Sequence, residues 1–159
     1  MIEIDIDSFN TQFERSMISG LIDISEYLQS KKGRGIEYEF ASVVVNANIA
    51  EYILFQLITI FSAEVRNTCQ ARHSKVSLEV IDPKEKSNSM KIEILSYFSF
   101  KNKQEIMRLL KSIRNSRNNL FHNLVRSNTK KINIGKAIEN INKDTTQLRI
   151  LVCQTLKDK

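Results

Sequence analysis

Chain breakers are scarce here. One proline and four glycines in 159 residues leave little material for the turns of a many-stranded β fold and favour long helices. Cysteine is rarer than most residue types, and Cys69 and Cys153 share no Cys-x-x-Cys or paired Cys/His spacing. That removes a zinc-binding pattern and a disulfide framework, and two free thiols suit a reducing compartment. The start, Met1-Ile2-Glu3-Ile4-Asp5-Ile6-Asp7, is acidic and lacks the basic start and apolar run of a signal peptide. No run reaches the roughly 18 apolar residues of a membrane span. A cytoplasmic protein without membrane association is expected. Acidic residues do not cluster at metal-ligand spacing. Gly33-Arg34-Gly35 is too short for a phosphate loop, and no Ser/His/Asp order sits in strand–turn–helix context. Neither a metal nor another cofactor is expected.

What is present reads as one helical domain over residues 1–159. The apolar fraction of 42% and charged fraction of 26% are ordinary for a soluble globular chain, and a chain this long buries roughly 70% of its extended surface. Four segments carry helical periodicity. Phe9, Phe13, Met17, Leu21, Ile24 and Leu28 predict a first helix from Asp7 or Ser8 to Gln29, ended by Lys31-Lys32-Gly33-Arg34-Gly35. Phe40, Val44, Ala47, Glu51, Leu54, Ile58, Phe61 and Val65 predict a second, central helix from Tyr38 to Arg72, with Val43, Ala50, Phe55 and Leu57 adding apolar girth.

Residues 74–90 lose the period. Val76, Leu78 and Val80 alternate with polar residues, as in a short strand or extended loop. Residues 91–100 are apolar but ambiguous between helix and strand. A third long helix is predicted from Asn102, with Asn102 and Glu105 at capping-box spacing and Ile106, Leu109, Leu110, Ile113, Leu120 and Leu124 as its stripe. A fourth runs from Ile134 to Leu156 on Ile138, Ile141, Leu148, Val152 and Thr155. The expected architecture is an all-α antiparallel bundle of four or five helices, with an irregular or extended insertion between the second and third long helices.

The net charge of +6 hides an asymmetry. Residues 101–136 hold ten basic residues and one acid, Glu105, a local balance of +9 that leaves −3 for the remainder. A concentrated basic face attracts polyanions through Coulomb steering and counterion release. A plain solvated face on a basic protein is the alternative.

Within that region lies Arg114-Asn115-Ser116-Arg117-Asn118-Asn119-Leu120-Phe121-His122. At about 100° per residue, Arg117 joins Ile113, Leu120 and Leu124, while Arg114, Asn118 and His122 share an adjoining face. A guanidinium in a packed seam needs an acceptor. Glu51, which interrupts the second helix's apolar stripe, is the expected partner, leaving part of the guanidinium fork free; a glutamate at a helix edge that pairs with nothing is the alternative. His122 has a side chain suited to proton transfer near neutrality. In RNA cleavage it would take the ribose 2′-hydroxyl proton while the arginine stabilises charge on the phosphate. Asn118 is placed to orient the imidazole or to bind a phosphate oxygen. A helix-end histidine beside a partly buried arginine is the bland alternative. His73 lacks comparable company and reads as a surface residue.

Arg117-Asn118-Asn119-Leu120-Phe121-His122 resembles the Arg, polar residue, three variable residues, His motif of HEPN (higher eukaryotes and prokaryotes nucleotide-binding) domains. Ile113-Arg114-Asn115 and the helical Glu51 add to the likeness. The close match covers about ten positions, and the helical pattern covers most of the chain. The resemblance implies a homodimer whose two motifs form one cleft. It also implies metal-independent endoribonuclease activity of the kind found in toxins and anti-phage defence proteins, some with a cognate antitoxin or defence partner. It makes Arg117, Asn118 and His122 the catalytic group. Glu51 and Arg114 would support them, and Lys111, Arg126, Lys130 and Lys131 would bind RNA. The alternative is a non-catalytic HEPN-like module that binds RNA, a nucleotide or a partner protein. The stretch from Ser74 to Ser89 has no counterpart in the resemblance.

Overall fold

The computed structural model describes residues 17–72, 86–125 and 134–157. They form five helices: α1 (Met17–Ser30), α2 (Ile36–Arg72), α3 (Asn88–Ser96), α4 (Lys103–Val125) and α5 (Ile134–Lys157). No strand occurs among the described residues. The fold is the all-α helical bundle expected. The proposed strand over residues 76–80 lies outside the described residues, as do His73 and the first half of the predicted first helix.

The helix α2 is the spine. At 37 residues it is about 55 Å long, and it packs against each of the other four helices. That explains its apolar girth. Val43, Ile49, Ala50, Ile53, Leu54, Leu57, Ile58 and Phe61 are all buried, each removing side-chain surface worth about 1.5–3 kcal/mol for the larger ones. Val44 and Val65 were expected on the buried stripe but are exposed. The covered face is instead the one centred on Val43, Ala47, Ala50, Leu54 and Ile58. The stretch Glu37–Thr68 is apolar and long enough to cross a membrane by length and composition, and half of its most apolar window is buried within the bundle. A central helix meets that test because neighbours cover it on several sides.

The helices α4 and α5 run antiparallel. Asn102 Nδ2 donates to Thr155 Oγ1 at 3.3 Å, Gln147 Nε2 to Glu105 Oε1 at 3.3 Å, and Ser112 Oγ to Asp144 Oδ2 at 2.6 Å. Along the seam, Ile106, Leu109, Leu110, Ile113 and Leu120 of α4 and Ile138, Ile141, Leu148 and Val152 of α5 are buried. The capping box expected at Asn102 and Glu105 does not form. Asn102 sits at φ 58°, outside the extended conformation of an N-cap; its amide serves Thr155, and the Glu105 carboxylate is taken by Arg108.

On α1 the buried face includes Ile18, Ser25 and Leu28, while Ile24 is exposed. A purely apolar reading of that helix put Ile24 inside. The rotation follows from a polar seam between α1, α2 and α5. Ser25 Oγ donates to Asn46 Oδ1 at 3.1 Å, and Asn46 Nδ2 donates to Asn142 Oδ1 at 2.8 Å and to the Ser42 carbonyl at 2.9 Å. Ser42 Oγ also donates to Asn142 Oδ1 at 3.0 Å. Buried amides must find partners, so a serine faces inward where an isoleucine was expected. The α1–α2 turn closes through Gly33 at φ 80°, a conformation open to glycine at no steric cost.

The ambiguous segment after residue 87 is helical. Ser87 caps α3, its hydroxyl accepting from the Met90 amide at 3.4 Å. At the other end Lys103 Nζ donates to the Ser96 carbonyl, the favourable place for a cation. Beyond α3, Phe98 and Phe100 fold onto Phe61, with ring centroids 5.8 Å and 4.6 Å away. These contacts hold α3 against α2 and place it beside the motif helix.

Candidate functional site

The helix α4 presents Arg114, Asn118 and His122 at four-residue steps. Asn118 and His122 are exposed, and Arg114 is half-buried. Arg114 is pinned: its Nη1 donates to Ser89 Oγ of α3 at 2.8 Å, and its Nε and Nη2 reach Asn115 Oδ1 at 3.4 and 3.2 Å. Arg117 is half-buried at the edge of the packed seam. Among the described residues it has no hydrogen-bond or ion-pair partner. Phe121, next to His122, is 37% exposed.

Glu51 and Arg117 line one small cleft, together with Arg114, Asn88 and the apolar side chains beneath them. The carboxylate does not pair with Arg117, as the sequence suggested. Its ion pair is with Lys91 of α3, Nζ to Oε1 3.6 Å. Lys91 was missed because its segment had no assigned structure. Once residues 88–96 are helical, Lys91, Ile92 and Leu95 share the buried face, which brings a cation under the bundle's surface where Glu51 waits. A lysine with 7% exposure needs such an acceptor.

Lys111 is exposed on α4, and Lys136 is exposed near the start of α5. Arg126, Lys130 and Lys131 lie outside the described residues. Glu105 and Arg108 form a bidentate pair at 2.8 and 2.7 Å. Its hydrogen bonds hold the Glu105 carboxyl below its ordinary value near 4.5, against a smaller opposing effect of desolvation, and push Arg108 up. A carboxylate stabilised this way favours the fold above its ordinary value, and the benefit is lost as pH falls through its lower folded value. The pair is solvent-exposed and its worth at neutral pH is small. Glu105→Gln is therefore expected to leave the urea midpoint at neutral pH nearly unchanged and to flatten its decline as pH falls below the ordinary carboxyl value of 4.5.

Compared with known proteins, the chain matches no family model, no curated protein and no solved structure.

The side chains themselves carry the functional reading. No group of three His, Cys, Asp or Glu residues among those described is arranged to hold a metal ion. A cavity of about 550 Å³ lies between α1, α2 and α5 and includes Tyr38, Ser42, Asn142 and Ile150. It contains none of the motif residues. Its lining is mainly apolar, with Lys32 and Glu139 paired across the rim at 3.7 Å. The chemistry-bearing groups gather instead around α4, where two guanidinium groups, an ammonium, an amide and an imidazole lie along one helix and its α3 neighbour.

Proposed function

We propose that this chain is a metal-independent endoribonuclease of HEPN type, working as a cytoplasmic homodimer in toxin or anti-phage defence. The observation that carries the reading is the exposed Asn118–His122 pair, one helical turn apart, on the basic helix that also holds Arg114 and Arg117. An exposed imidazole can reach a ribose hydroxyl. The guanidinium groups beside it can hold the phosphate as it gains charge.

The helix itself supplies a reason for two subunits. Arg117 and His122 are five residues apart, about 140° around an α-helix. Their side chains leave α4 in divergent directions and do not aim at one atom from a single helix. Two antiparallel copies of α4 meeting face to face would bring one copy's guanidinium toward the other's imidazole. In the resulting cleft one imidazole takes the 2′-hydroxyl proton, the 2′-oxygen attacks phosphorus, and the 5′-oxygen leaves with a proton from a second acid. The products are a 2′,3′-cyclic phosphate and a 5′-hydroxyl. Nothing in this sequence of steps calls on a metal.

The test is direct. Purified protein incubated with a mixed RNA pool in the presence of a chelator is expected to yield fragments ending in cyclic phosphate. RNA binding that weakens with salt but produces no fragments would replace this reading with a non-catalytic RNA-binding module.

A further inference from the structure

The surroundings of Glu51 are uneven in charge. Arg114 and Arg117 of α4 line the cleft with Glu51, the one carboxylate among the described residues lining it, and Lys91 of α3 reaches that carboxylate from outside the lining. The Lys91 ammonium is 3.6 Å from that carboxylate, longer than a good hydrogen bond, although the residue is only 7% exposed. Arg117 has no partner among the described residues, and Ser89 holds Arg114 in position. The cleft beside the two arginines and Glu51, floored by apolar side chains, is about 20 Å³, room for roughly one water-sized atom.

We infer that this cleft is an oxyanion site for a phosphate group, and that Glu51 is its resident competitor. One phosphoryl oxygen enters the cleft, and the remaining oxygens face Arg114 and Arg117 at its mouth. A cleft this small takes an oxygen and not the whole group, so the phosphorus stays at the surface, where a nucleic-acid strand can present it. Until then the Glu51 carboxylate occupies the positive field and satisfies Lys91. As the anion arrives, Lys91 shares its charge between the two. The phosphate belongs either to a polynucleotide backbone or to free phosphate. The first of these sources rests on the ribonuclease reading; the site itself rests on the four side chains.

The competitor role makes an unusual demand. Removing an acid from a protein's own salt bridge should improve anion binding. The probe is inorganic phosphate, titrated at constant ionic strength with chloride as balance, followed through the Arg114 and Arg117 Nε–H signals by NMR. Wild-type protein is expected to shift both signals. Glu51→Gln, which keeps the shape and removes the charge, is expected to bind phosphate at least fivefold more tightly. Lys91→Met, which keeps the apolar stem, is expected to bind at least tenfold more weakly, and it carries the test should Glu51→Gln not fold.

A short single-stranded DNA oligonucleotide, which lacks the 2′-hydroxyl and so is not cut, separates the two sources. Displacement of phosphate from the same signals assigns the site to a strand, and failure to displace assigns it to free phosphate. Phosphate binding that Glu51→Gln fails to tighten, or that Lys91→Met leaves unchanged, overturns the inference. The two readings also fail separately. RNA cleavage with no phosphate response removes the oxyanion site alone, whereas phosphate binding with no cleavage removes the ribonuclease alone.

Discussion

His122→Ala is expected to lower RNA cleavage by a factor of about 10²–10⁴, the usual contribution of a general acid–base side chain, while leaving the fold unchanged. The imidazole is exposed, so its removal opens no cavity, and surface substitutions of this kind stay within about 0.5 kcal/mol in stability. Cleavage rate and urea denaturation, measured on the same preparation, separate the two effects. The same RNA affinity with no fragments identifies chemistry as the lost step. Cleavage that persists after the substitution removes the proposed mechanism. Mixing active and His122→Ala protein sharpens the test, because a composite cleft makes the heterodimer lose activity out of proportion to the fraction of altered subunits.

Asn46→Ala is expected to have the largest effect on stability, about 2–4 kcal/mol. The residue is 2% exposed and ties three helices together. Its amide nitrogen serves Asn142 of α5 and the Ser42 carbonyl of α2, and its amide oxygen accepts from Ser25 of α1. Truncation leaves the buried Ser25 hydroxyl without that acceptor and takes one of two donors from Asn142. An orphaned buried polar group costs about 1–3 kcal/mol, and the missing amide leaves a small void besides. Urea denaturation checks the value. Asn142→Ala combined with Asn46→Ala should cost less than the two single changes together, since the residues share one network. A loss below about 0.5 kcal/mol would mean the seam is better hydrated than its burial indicates.

The bundle was legible in the sequence wherever a helix buries one apolar face. The end of α1 at Ser30 and the start of α2 at Ile36 fall within two residues of where periodicity puts them, because nothing there competes with the 3.6-residue repeat. The reading failed where polar groups decide the packing. Ile24 yields the interior to Ser25 because α2 offers an amide at Asn46, a requirement that hydrophobic spacing does not register. Asn102 and Glu105 have a cap's spacing but find better partners across the bundle in Thr155 and along the helix in Arg108.

The candidate site was legible in part for the same reason. The relative placement of Arg114, Asn118 and His122 follows from helix geometry alone. The acceptor for Glu51 depends on which neighbouring helix comes near, and that neighbour is α3, the segment whose short apolar run fits helix and strand equally well. The inward-facing Lys91 would have been visible only after a helix was assigned there, since the same residue in a strand lies opposite Ile92.

The spine-like packing of α2 has a consequence for biosynthesis. The ribosome releases this greasy rod well before the residues of α4 and α5 that shelter it, at about 5–20 residues per second. For several seconds the nascent polypeptide has only α1 to lay against it. Chaperone capture during translation should therefore concentrate on residues 43–61, and a stalled chain ending before α4 should aggregate.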